Sequence, residues 1–130
     1  MPFIVTAFAG GALAVLMVPL SLQVTLRRIQ LGNLVFGHGD DDTLRRRIRA
    51  HGNFCEYAPT GMVALGLLEA SGAASAATLW ALAVALVAGR LLHAAGMLYG
   101  DTPLARAIAM MTTHAVLLTA GVWLMATALG

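Results

Sequence analysis

Residues 75–98 read SAATLWALAVALVAGRLLHAAGML, and its reading decides the fold. The run is apolar along almost its whole length. It matches the roughly 20 residues that a hydrocarbon core demands of a helix. Its ionisable groups, Arg90 and His93, stand near one end. Working outward, residues 3–26 and 104–129 repeat the pattern, and residues 45–70 reach the length with a polar start, Arg45-Arg46-Arg47 and Arg49, before an apolar run from Tyr57 to Leu68. Composition agrees. The 130 residues are 59% hydrophobic and 11% charged, with a mean hydropathy of +0.82. Ordinary soluble domains carry about 25% charged residues, and so short a chain has too little interior for this much apolar surface in water. The expected fold is all-α: one domain, 1–130, built as an antiparallel bundle of four transmembrane helices, with no internal repeat.

The junctions follow from turn chemistry. Gln30–Thr43 is mostly polar and glycine-rich, a solvated loop in which His38 beside Asp40, Asp41 and Asp42 has no fixed metal geometry. Asp42 or Thr43 is the expected N-cap of the second helix. Ala70-Ser71-Gly72-Ala73 and Gly100-Asp101-Thr102-Pro103 are short turns, with Pro103 suited to a first helical position. Pro19 predicts a kink in span one, and Gly10-Gly11 a close helix approach. Trp80 and Trp123 suit a membrane interface. The start lacks a basic region and stays apolar to about Val24, which reads as a retained span, not a signal peptide.

The net charge of +2 comes from arginine, since the chain has no lysine. Arg27, Arg28, Arg45, Arg46, Arg47, Arg49 and Arg106 flank the first and third loops. The positive-inside rule puts those loops in the cytoplasm and both termini outside. A nucleic-acid partner is not expected, because the arginines alternate with apolar spans. One cysteine, Cys55, excludes an intramolecular disulfide, and is read as a small buried thiol. Four histidines with a single cysteine give no zinc-like spacing, so no metal is expected.

Two spans carry groups that lipid disfavours: Arg49, His51, Asn53 and Glu56 on the second, Arg90 and His93 on the third. A charge at the bilayer centre costs roughly 2.5–3.5 kcal/mol on insertion scales, so such groups face a partner or a cavity. At 1.5 Å per residue, Glu56 lies roughly 9 Å and Arg90 roughly 8 Å below the same surface. Arg49, Asn53 and Glu56 share one helix face, as do Arg90 and His93. Two readings fit. One is a Glu56–Arg90 ion pair gluing helices together. The other is a polar pocket, open to the cytoplasm, for an anionic or zwitterionic molecule, favoured by the excess of arginine over carboxylate.

The second-span motif Arg49-Ala50-His51-Gly52-Asn53-Phe54-Cys55-Glu56-Tyr57-Ala58-Pro59 and the third-span Gly89-Arg90-Leu91-Leu92-His93 resemble the signatures of the MAPEG family, the membrane-associated proteins in eicosanoid and glutathione metabolism. The resemblance covers nearly the whole chain, and the first loop and Leu68-Glu69-Ala70-Ser71-Gly72 look most like the bacterial branch, hence an inner membrane. It implies a homotrimer among membrane lipid, with glutathione as co-substrate between neighbouring subunits near the cytoplasmic face. It implies that Arg49, His51, Asn53, Glu56, Tyr57, Arg90 and His93 bind glutathione, with Arg27 or Arg28 from the end of helix one. It gives Arg106 the role of stabilising the glutathione thiolate. A free thiol has a pKa near 8.5, and a nearby arginine lowers it, so the thiolate can attack a lipophilic small molecule drawn from the bilayer. Met97, Ala107 and Met110 stand where some eicosanoid enzymes carry tyrosine, serine and an aromatic residue. They point to a general glutathione transferase or peroxidase in detoxification. The alternatives are a non-catalytic relative that binds glutathione or a lipid without turnover, and a small four-span transporter. The transporter needs a carboxylate in helix one, and none lies between Phe3 and Leu26. His114 is read as interhelical glue, and Tyr57 and Tyr99 as ligand donors or interfacial anchors.

Overall fold

The computed structural model describes residues 3–32, 37, 39–100 and 103–130. The sequence folds into α1 (Ile4–Gln30), α2 (Asp42–Ser71), α3 (Ala76–Leu98) and α4 (Pro103–Leu129). The described residues contain no strand. The loop reading of His38 and the turn at Asp101-Thr102 lie outside the described residues. Pro103 opens α4, where its missing N–H costs nothing. Gly72 ends α2 with φ 66°, a left-handed conformation that glycine adopts without strain. α1 runs on through Pro19.

The cap of α2 is a correction. Asp41, not Asp42 or Thr43, accepts from Leu44 N–H at 2.5 Å. Three successive aspartates could each cap; Arg27 selects one, its Nε and Nη2 gripping the two Asp41 oxygens at 3.2 and 2.6 Å. That guanidinium, then the Leu44 amide, holds the Asp41 carboxyl below its ordinary value.

α2 and α3 form the centre, each packing against the other and against both outer helices, while α1 and α4 do not meet. One core cluster joins Leu13, Leu20, Ala50, Phe54, Leu86 and Val116. A second, toward the arginine-free end, joins Val5, Ala9, Leu65, Leu68, Leu79 and Ala120. Outside, α1 exposes Val15, Val18 and Leu22, and α4 exposes Met111, Leu118 and Met125. So large an apolar coat suits lipid. α1, α3 and α4 are long and apolar enough to cross a membrane. α2 is too polar to qualify by composition, yet contributes to both core clusters and so runs the same depth beside them.

Gly10 meets the Met62 methyl, which would lie 3.2 Å from an added Cβ, but a Cβ on Gly11 would point into open space. The expected close approach therefore belongs to Gly10 alone.

The α1 start lacks a cap of its own. Glu69, from the far end of α2, supplies one by accepting from Val5 N–H at 3.0 Å, Thr6 N–H at 2.8 Å and Thr6 Oγ1 at 2.5 Å. Helix-start amides favour a carboxylate by charge as well as by hydrogen bonding. Glu69→Ala should therefore destabilise the bundle by roughly 1–3 kcal/mol, with Glu69→Gln between the two. Thermal unfolding in detergent measures this, and equal midpoints for all three proteins would refute the cap.

Candidate functional site: a polar hollow at the arginine end

α2, α3 and α4 enclose a hollow of about 480 Å³ lined by Ile48, Arg49, Gly52, Asn53, Glu56, His93, Met97 and Arg106. That volume suits a small-molecule ligand. α2 brings Arg49, Asn53 and Glu56 by the shared-face spacing. α3 brings His93, and Met97 one turn on. α4 brings Arg106 from its first turn, close against α3 because Gly96 has no side chain: a Cβ there would lie 3.0 Å from Arg106 Cγ.

Arg90 stands behind this wall, 1% exposed. Its Nη1 donates to Asn53 Oδ1 at 2.6 Å and its Nη2 to Thr113 Oγ1 at 2.6 Å. Met110 Sδ lies 3.6 Å from both Arg90 Nη2 and Asn53 Nδ2. The Tyr57 ring covers the guanidinium, 5.2 Å from centroid to Cζ, a cation–π arrangement. Gly89 permits the crossing, since a Cβ there would lie 2.9 Å from Thr113 Oγ1 and 3.3 Å from the Ala109 carbonyl.

The Glu56–Arg90 ion pair does not form. Glu56 sits roughly 60° around α2 from Asn53 at 3.6 residues per turn. It is exposed, whereas Arg90 is sealed between three helices. Among the described residues, Arg90 has no carboxylate within ion-pair distance. Arg49 and Arg106 line the hollow, with Arg90 immediately behind, against the single carboxylate of Glu56. Such a site suits a molecule with carboxylates for the guanidiniums and an ammonium for Glu56.

Of the ten residues singled out in the sequence, Arg49, Asn53, Glu56, His93 and Arg106 line the hollow. Arg90 and Tyr57 support it from behind. His51 stands outside, its Nε2 3.6 Å from Cys55 Sγ. Cys55 is exposed, not buried as expected. Arg27 is engaged by Asp41 and by Gln30 Oε1 at 3.1 Å, and Arg28 is exposed; neither lines the hollow. Tyr57 Oη and His114 Nε2 are 3.5 Å apart, which links α2 to α4. Sequence reasoning missed Thr113 as a partner of Arg90. Its signal was a hydroxyl in an apolar span, two to three turns into α4 and level with the arginine.

The model of the MAPEG family matches residues 6–126. The chain belongs to the MAPEG family. It is also 33% identical over 92 residues to inner membrane protein YecN of Escherichia coli K12, and equally to YecN of an O6:H1 strain. The alignment takes in 68% of this chain and 66% of YecN, a little under two thirds of that relative. No solved structure matches. As a MAPEG protein it is an integral membrane protein of helical-bundle fold.

Proposed function

We propose that this MAPEG protein is a glutathione transferase or peroxidase of the bacterial inner membrane, working as a homotrimer with both termini outside and the hollow open to the cytoplasm. The observation that carries the reading is the convergence of Arg49, Asn53, Glu56, His93 and Arg106 on one ligand-sized hollow. Glutathione has two carboxylates and an ammonium. Arg49, with Arg90 behind it, suits the former and Glu56 the latter, which leaves Arg106 for the thiol. The thiol loses its proton to solvent beside an arginine. In transfer, sulfur forms a bond to a lipophilic electrophile as the leaving group departs. In peroxide reduction, two glutathiones become the disulfide while the hydroperoxide becomes alcohol and water. Membership of the family and an inner membrane relative support the reading. The YecN name itself states no activity.

The test is calorimetric titration of glutathione into detergent-purified protein. One site per chain is expected, with Glu56→Gln weakening affinity about tenfold, or about 1.4 kcal/mol. Loss of the ammonium partner should leave S-alkylated and free glutathione equally affected. No heat of binding in the native protein, or full affinity in Glu56→Gln, would sink the assignment.

A further inference from the structure

On another face of α2, away from the hollow, Cys55 lies between an imidazole and a thioether in the groove that α2 makes with α1. Cys55 Sγ is 3.6 Å from His51 Nε2 and 4.0 Å from Met17 Sδ. His51 and Cys55 are one turn apart on the same helix face, and Met17 reaches them from α1. An apolar cavity of about 280 Å³ adjoins the two sulfurs, lined by Leu13, Met17, Phe54, Cys55, Pro59 and Met62 among others. The proposed glutathione chemistry uses neither sulfur.

We propose that Met17, His51 and Cys55 form a binding site for one copper(I) ion. Thiolate and thioether sulfurs select copper(I) over harder cations, and imidazole completes a three-coordinate set. Metal bonds of about 2.3 Å to sulfur and 2.0 Å to imidazole nitrogen put donors of a trigonal shell about 3.7 Å apart for sulfur and nitrogen, and about 4.0 Å for two sulfurs. The Cys55–His51 and Cys55–Met17 separations already lie close to those values, so two of the three edges of the shell are in place before loading. Charge decides between metals. Copper(I) displaces the thiol proton to solvent, and the single thiolate cancels its charge. His51 and Met17 are neutral ligands, so the filled site carries no net charge against an apolar groove. Zinc(II) would leave a positive charge there, which lipid disfavours. It would also want a fourth protein ligand, and among the described residues no group of three or more His, Cys, Asp or Glu side chains is placed to hold a metal.

The experiment titrates reduced, detergent-purified full-length protein, without glutathione, against the copper(I) complex of bicinchoninate. The protein should withdraw one equivalent. Met17→Leu and Cys55→Ser should each weaken copper(I) affinity at least tenfold with helicity unchanged, and Met17→Cys should restore it. Met17→Leu should bind glutathione within twofold of the native protein, which separates this site from the hollow. No withdrawal by the native protein would overturn the proposal. So would native affinity in Met17→Leu, which means binding without the thioether, or preferential uptake of zinc(II).

Discussion

Replacing Arg90 by methionine is expected to cut glutathione affinity ten- to a hundredfold, about 1.4–2.8 kcal/mol, while leaving the bundle as stable as before or more so. Arg90 is 1% exposed and, among the described residues, meets hydroxyl, amide, thioether and ring but no carboxylate. Its Nε is buried and has no hydrogen-bond partner among the described residues. An uncompensated cation in lipid costs roughly 2.5–3.5 kcal/mol. Two good hydrogen bonds between membrane helices return about 0.6 kcal/mol each. The Tyr57 ring adds roughly 0.5–2 kcal/mol, so the charge brings the fold little or no net gain, and on the proposed function it would serve the ligand. It holds Asn53 in place and adds to the field in the hollow. Methionine fills most of the volume and removes the charge. Calorimetry and detergent unfolding measure the two effects separately. A protein that loses several kcal/mol of stability yet binds glutathione normally would show Arg90 to be a strut instead.

Arg106→Ala should act on rate more than on binding. Arg106 lines the hollow, and the hydrogen bond it makes among the described residues is from Nη1 to Met97 Sδ at 3.6 Å, which leaves most of its donors available to a ligand. A neighbouring arginine lowers an acidic group's pKa by about 1–3 units. Without it the glutathione thiol returns toward about 8.5. The bound thiolate fraction at neutral pH, and kcat with it, should fall roughly ten- to thirtyfold, a ceiling set by the few per cent of a thiol of pKa about 8.5 that ionises at pH 7. KM should change less than threefold. Ultraviolet thiolate absorbance in stopped flow reads the first effect and steady-state turnover the second. Undiminished thiolate absorbance in Arg106→Ala would move that role elsewhere.

Particular residues explain what the sequence made legible. The helices were readable because a bilayer imposes one length and one polarity, and residues 75–98 satisfy both. The site was readable because intramembrane polar groups are costly, so Arg49, Asn53, Glu56, Arg90 and His93 advertised a shared destination. Depth counting found the level but not the azimuth. One-dimensional arithmetic paired Arg90 with Glu56, whereas the helix turn of Asn53 and the α4 hydroxyl of Thr113 claimed the guanidinium. His51 lies in the same motif, yet turns to Cys55, which in turn meets α1 at Met17. Glu69 stood at the edge of a turn with nothing in its neighbourhood to say that it caps a helix more than sixty residues away. Asp41 won over its two acidic neighbours through Arg27, a partner on another helix.

The α1–α2 hairpin is stitched at both ends, by Glu69 on Val5 and Thr6 and by Arg27 on Asp41 with Arg47 on the Gln23 carbonyl at 2.9 Å. Among the described residues α4 does not touch α1, and its polar ties to the central helix α3 run from Arg106 to Met97 in its first turn and from Thr113 to Arg90 nearer its middle. On the proposed function, α4 is the wall of the hollow expected to yield when a ligand enters, with the stitched hairpin as its frame. Amide exchange in the opening turns of α4 should outrun that in α1 and α2, and equal protection across the helices would mean a doorway of fixed width.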